Sequence, residues 1–270
     1  MDTKSMASRQ DSLRTFEAQA VPYARFGRVL KFNRTLFLIQ LLVLTAFFEA
    51  VVLHLLDKYF EALTGITRSM FKEGHILEHS VGFLKIKYFA IFGRLPTAFE
   101  SFTYLVLSGV FLASLLSRFN RLPRNLTAWL IYVDMIYLVS SLYFVLFGER
   151  FPYTVAEFGK LYFLQQMGVF LLIPVLLGMT LSVYTFGFVN FMLNFLTIAL
   201  TLFYAFIFGA VRYLAFLSIL QNWSYIHMPA MFFVAGPLLD TVYVVSFYSL
   251  CSYLTVKLLH RKESYYQWGY

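Results

Sequence analysis

Residues 36–56 read LFLIQLLVLTAFFEAVVLHLL, an apolar run interrupted only by Gln40, Thr45, Glu49 and His54. A helix needs about 20 such residues to cross the roughly 30 Å hydrocarbon core of a bilayer, and this run supplies them. The basic side chains Arg25, Arg28, Lys31 and Arg34 precede it. Cationic flanks of membrane helices stay on the cytoplasmic side, so the chain is expected to enter the membrane from the cytoplasm.

The same pattern recurs along the chain. Further apolar segments cover residues 102–116, 129–147, 161–183, 186–209 and 229–259. The expected fold is therefore all-α, a polytopic integral membrane helical bundle of about six transmembrane helices. The short loop with Arg118, Arg121 and Arg124 and the end with Arg261 and Lys262 place both termini inside, an N-in/C-in topology. Residues 1–35 form a basic cytoplasmic tail, residues 36–259 the membrane domain and residues 260–270 a second cytoplasmic tail. The first tail has no apolar core ending in a small-residue cleavage site, so it does not read as a secretory signal peptide.

Composition supports this reading. Of 270 residues, 60% are hydrophobic and 13% charged, against roughly 45–50% and 25% in a soluble domain. The net charge of +8 is concentrated beside the apolar segments. Its expected partner is the lipid bilayer with its anionic headgroups, not nucleic acid. Cys251 is the single cysteine, which excludes an intramolecular disulfide and a cysteine-rich zinc cluster.

Three stretches are less regular. Residues 57–100 mix charge with apolar side chains and read as an interfacial segment. Within it Val81–Phe92, VGFLKIKYFAIF, is expected to be an interfacial helix with Lys85 and Lys87 snorkelling. Beyond residue 209 the fifth segment stays apolar to Leu220, which reads as a bent or interfacial extension. Pro229 suits the first turn of the sixth helix, whereas Pro237 and Pro174 sit where they should kink the sixth and fourth.

Ionisable groups inside a membrane segment are costly and mark functional sites by default. Glu49, Asp134, Asp240 and Arg212 are the candidates. Asp134, Tyr137 and Ser141 are spaced i, i+3, i+7 and share one helix face. Asn190, Asn194, Thr197, Thr201 and Tyr204 line one face of the fifth segment, and Asp240, Tyr243, Cys251 and Ser252 supply a polar side on the sixth. Two antiparallel polar faces joined by a short connection should meet, so a polar seam between these segments is the expected binding or transport site. His227 lies beside Trp223 and Tyr225 and reads as a hydrogen-bonded anchor at an aromatic interface. His75 and His79 are spaced i, i+4 but lack the HExxH arrangement, so no metal site is expected. No cofactor motif is present, neither a glycine-rich phosphate loop nor a GxSxG turn.

The stretch GAVRYLAFLSILQNWSYIHMPAMFFVAG, residues 209–236, closes one segment with an arginine and opens the next with a histidine. Over residues 205–255 this resembles the exosortase/archaeosortase family of membrane transpeptidases. In that family an outer-face cysteine, an arginine and a histidine process sorted proteins, so the resemblance implies such roles for Arg212 and His227. The cysteine departs from the pattern: residues 160–211 contain none, and Cys251 falls at the cytoplasmic end of the last helix. The resemblance therefore implies a cysteine-less relative or an accessory protein.

Without a complete catalytic set, the leading expectation is a non-enzymatic multi-pass membrane protein. It would act as a subunit or accessory factor of a membrane complex, with other membrane proteins as partners. A transporter or channel for a small polar or ionic solute is the alternative. An exosortase-like protein acting at the outer face is the third.

Overall fold

The computed structural model describes residues 28–30, 33–71, 74–81, 84–91, 93–117, 121–151, 154–183, 187–259 and 266–268. It contains six helical segments long and apolar enough to cross a membrane. The protein is a multi-pass helical membrane protein. Arg25, Lys31, Arg118, Arg261 and Lys262, on which the expected orientation partly rests, lie outside the described residues, as do most of both expected tails.

Helix α1 spans Arg34–Met70. It starts where Asn33 accepts hydrogen bonds from the amides of Thr35 and Leu36 at 3.1 and 3.2 Å, which satisfies donors that a helix start leaves unpaired. Its buried face runs Leu44, Phe48, Val52, Leu56, Phe60, Leu63, Thr64, Thr67. This corrects the expectation that the helix stops near Leu56. Asp57, Lys58 and Glu61 change the polarity of the outer side, but the apolar face continues beneath them. At about 1.5 Å per residue α1 is roughly 55 Å long, so its last turns extend beyond a 30 Å hydrocarbon core.

The segment expected to be an interfacial helix is a β-hairpin. Strands β2 (His75–Val81) and β3 (Leu84–Ala90) pair antiparallel, with His75 opposite Ala90 and Val81 opposite Leu84. The alternation Leu84, Lys85, Ile86, Lys87, Tyr88 has the period of a strand. Ile86, Tyr88 and Ala90 are buried, while half-buried Lys87 meets Glu78 of the facing strand at 3.5 Å. β3 lies on α1, where the Thr64 hydroxyl donates to the Lys87 carbonyl at 3.2 Å.

Helix α2 (Ala98–Leu116) and helix α3 (Arg124–Phe147) pack together as a hairpin. Helix α4 (Val155–Leu181) remains one helix through Pro174. Capping boxes, Thr97 with Glu100 and Thr154 with Glu157, start α2 and α4. Gly187, at φ 93°, precedes helix α5, Phe188–Asn222, a left-handed conformation that favours glycine. The apolar continuation of the fifth segment is helical, and α5 runs as a single helix to Asn222. Its last turns are held by the buried side chains of Tyr213, Phe216, Leu217 and Leu220, with the Tyr213 hydroxyl donating to the Phe89 carbonyl of β3 at 2.9 Å.

The sixth segment is broken. A short turn (Tyr225–His227) leads into helix α6 (Met228–Phe233), a widened π-type turn (Val234–Leu238) and helix α7 (Leu239–Leu259). Pro229 sits in the first turn of α6. Pro237 sits in the break, where Gly236 leaves helical geometry at φ −91°, ψ −113°.

Helix α4 is central, in contact with α1, α5, α7 and β3, and the α2–α3 hairpin joins this core through α6 and the 225–227 turn. An aromatic spine of Phe60, Phe163, Tyr213, Phe216 and Tyr162 fills the contact between α1, α4 and α5. Strand β1 (Arg28–Leu30) pairs with β4 (Tyr266–Trp268), so the two chain ends come together, as an even number of crossings requires.

Candidate functional site

The polar faces of α5 and α7 meet. Near the chain-end side, the Thr255 hydroxyl donates to the Asn190 side-chain carbonyl at 3.2 Å. One helical turn on, the Cys251 thiol donates to the Asn194 carbonyl at 3.7 Å, while the Asn194 amide donates to the Leu181 carbonyl at 3.0 Å. Asn194 and Thr201 are 0% exposed. Thr255, which the sequence reading passes over, belongs to the seam. Ser252 is half-buried, and its hydroxyl has no partner.

Farther along the same seam lies Arg212, buried on α5. Its guanidinium donates to the Tyr162 hydroxyl at 2.7 Å, to the carbonyls of Ala235 and Gly236 at 2.6 and 3.2 Å, and to Asp240 Oδ1 at 2.9 Å. The remaining arm bonds the Gln166 side-chain oxygen. The Tyr162 and Phe208 rings each lie 5.6 Å from its carbon, a cation–π distance. The break at Gly236 and Pro237 makes this arrangement, because its widened turn presents backbone carbonyls to the arginine just before Asp240.

The same centre contains buried polar atoms without partners, Tyr59 Oη, Gln165 Oε1 and Gln166 Nε2, while the Tyr243 hydroxyl lies against the Asp240 carboxylate. Tyr59 and Gln166 converge on Gly209, where a Cβ would fall 2.6 Å from Gln166 Nε2 and 3.1 Å from Tyr59 Oη. Sequence reading named Arg212 and Asp240 separately and missed their pairing. It also missed Gln165, Gln166 and Tyr162. The visible signal was the adjacent glutamine pair inside an apolar run.

Asp134 and His227 fall in a different place. A cavity of about 440 Å³ lies between α2 and α3, against the 223–227 turn, and both residues line it. Asp134 Oδ1 accepts from the Ser108 hydroxyl at 2.6 Å, and its Oδ2 has no partner. Both ring nitrogens of His227 lie 3.3 Å from tyrosine hydroxyls, Tyr104 on α2 and Tyr137 on α3. The Trp223 ring meets His227 edge-on at 4.9 Å. His227 is thus held as the aromatic anchor its neighbours imply. Tyr137 stays in the Asp134 face, whereas the Ser141 hydroxyl turns back onto the Tyr137 carbonyl at 2.6 Å.

Arg212 and His227 belong to separate clusters, and none of the five bonds of Arg212 reaches His227. Glu49 is half-buried on α1, outside both clusters. His75 and His79 lie on one face of β2, about 13 Å apart at strand spacing, too far to share an ion. No group of three metal-ligating side chains occurs among the described residues.

No family model matches the chain, and no curated protein and no solved structure matches it.

Proposed function

We propose that the protein is a non-enzymatic component of a membrane assembly, a subunit or accessory factor built on a rigid α1/α4/α5/α7 core. The observation that carries this reading is the closed state of the seam. Asn194, Thr201 and Cys251 fill it with side chains no more than 1% exposed, and the Asn194 amide is engaged by Leu181. A solute path would have to run through these groups. Every nitrogen of the Arg212 guanidinium is likewise bonded within the protein, so it behaves as a tie between α5, α4 and the broken sixth segment. No nucleophile accompanies it, and the histidine that a transpeptidase would place beside it is held by Tyr104 and Tyr137. The bilayer with its anionic headgroups and neighbouring membrane proteins are the partners that this reading implies.

Transport of a small polar solute or ion is the second reading. It is favoured by the unpartnered polar atoms around Arg212 and by the broken helix, since interrupted membrane helices build solute sites. Water access separates the two. In a Cys251→Ser background, Asn194→Cys is expected to resist a membrane-impermeant maleimide in intact membranes and to react only after denaturation. Rapid labelling before denaturation would overturn the packed-component reading in favour of a path.

A further inference from the structure

The cavity between α2 and α3 carries a feature that a packed scaffold does not need. Asp134 is 6% exposed, and a carboxylate at this depth in a membrane protein is normally paired or hydrogen-bonded at both oxygens. Here Ser108 serves Oδ1 alone, and Oδ2 is left without a donor. The other titratable side chains lining the cavity are Tyr104, Tyr137 and His227, whose ring nitrogens both lie against those two tyrosine hydroxyls, and no lysine, arginine or second acid lines it. What Oδ2 lacks is a hydrogen-bond donor, which a protonated amine supplies together with the compensating charge and a quaternary ammonium does not, and the cavity beside it is large enough to bring one. Its volume of about 440 Å³ falls within the roughly 300–1,000 Å³ of ordinary small-molecule sites.

The walls narrow the chemistry of that donor. Tyr104, Tyr137 and Trp223 place aromatic rings around one side of the cavity, and aromatic faces attract ammonium groups. Apart from Ser108 and His227 the remaining wall is apolar, and Leu107 and Phe111 at its rim are 60% and 43% exposed on the outer surface of the α2–α3 hairpin. In a membrane that surface meets acyl chains. A ligand entering from there has an apolar body, and its polar end must satisfy a carboxylate between aromatic rings.

We propose that this cavity is a binding site for an amphipathic amine, an ammonium group on a hydrocarbon chain, with Asp134 as its counter-ion and Tyr104, Tyr137 and Trp223 as the aromatic wall. The ammonium is carried either by a free alkylamine or by an aminophospholipid headgroup, and both present the same donor. The site is independent of the seam between α5 and α7, so it goes beyond the packed-component reading and does not stand or fall with it.

The test uses Trp223 as the reporter. The full chain with Trp129→Phe and Trp268→Phe retains one tryptophan and is placed in phosphatidylcholine nanodiscs. Four chain-brominated quenchers are titrated: a long-chain amine, the alcohol of equal length, phosphatidylethanolamine and phosphatidylcholine. The expected result is saturable quenching by at least one ammonium carrier at a mole fraction about tenfold below that of its uncharged or quaternary counterpart, about 1.4 kcal/mol of preference. Which carrier quenches more strongly identifies the source. Asp134→Asn should abolish the preference. If Asp134→Asn does not fold, Val133→Phe provides the check, because a larger wall residue fills the cavity without touching the carboxylate and should remove saturable quenching. Equal quenching by amine and alcohol overturns the proposal, as does a preference that survives Asp134→Asn or Val133→Phe.

Discussion

Arg212 and Asp240 face each other across the break in the sixth membrane segment, with Nη1 2.9 Å from Oδ1 and each residue 5% exposed. The pair ties α5 to the start of α7 beside the turn where Pro237 interrupts the helix. The Asp240 carboxylate is one half of a buried ion pair, so replacing it disturbs the fold as well as any function.

Removing one partner of such a pair leaves an uncompensated buried charge, which costs about 3–5 kcal/mol. Asp240→Asn and Arg212→Met are therefore each expected to lower the midpoint of thermal unfolding in detergent strongly. The double variant Arg212→Met/Asp240→Asn should be less destabilised than the sum of the single variants. A double-mutant cycle on unfolding checks this, and additive losses would show that the two side chains do not depend on each other.

Close helix contact makes a second expectation. At Gly178 on α4 a Cβ would sit 2.7 Å from the Thr45 hydroxyl on α1, nearer than packed atoms approach. Gly178→Ala should cost about 1–3 kcal/mol by overpacking. Thr45→Ala in the same chain should restore most of it, since the offending atom is then gone. Thermal unfolding of the three variants decides the point, and a Gly178→Ala protein as stable as wild type would show that α1 and α4 separate easily there.

Much of the fold was legible because lipid imposes one simple rule on sequence. A segment surrounded by acyl chains must be apolar over a helix of fixed length, and Trp129–Phe147 or Leu161–Leu181 satisfy it without help from neighbours. The seam was legible for a related reason, since Asn190, Asn194 and Thr201 repeat at helical spacing and had to find protein. What escaped lay where that rule no longer applies. Residues 84–90 outside the spans are held by contacts with α1 and by the Tyr213 hydroxyl, and there the strand period of Lys85, Ile86 and Lys87 outweighed the apolar content that suggested a helix. Pairing across segments escaped as well: Arg212 meets Asp240 beside the widened turn at Gly236, and Asp134 meets Ser108 where α3 packs on α2. Those are properties of packing geometry that no single segment contains.

Within the seam the groups should differ from the ion pair in magnitude. Asn194→Leu removes bonds to the Leu181 carbonyl and the Cys251 thiol, and hydrogen bonds between membrane helices are worth only about 0.6 kcal/mol on average. A small loss of thermal stability is expected. Cys251→Ser should be close to neutral, since a serine hydroxyl can donate to the same Asn194 oxygen. Measured side by side in detergent, a loss for either variant as large as that of Asp240→Asn would contradict this ranking.

The orientation of the bundle gives the last expectation. Strands β1 and β4 pair, so both chain ends share one side of the membrane, and the six crossings return the chain to the side where it began. Which side that is depends on the short basic connections. Arg121 stands between α2 and α3 and Arg124 opens α3, whereas the opposite end of the bundle carries the 57–100 segment, a longer stretch in which the positive-inside rule is weaker. Cytoplasmic termini are the expected outcome, which would put the β2–β3 hairpin on the outer face with the far end of α1. Reporter fusions after Leu122 and after Lys262 should report cytoplasm, and a fusion after Glu149 should report the opposite compartment. The mirror-image pattern would invert the topology while leaving the bundle intact. A same-side result for Leu122 and Glu149 would instead show that α3 does not cross, which would also remove the membrane-embedded setting of Asp134.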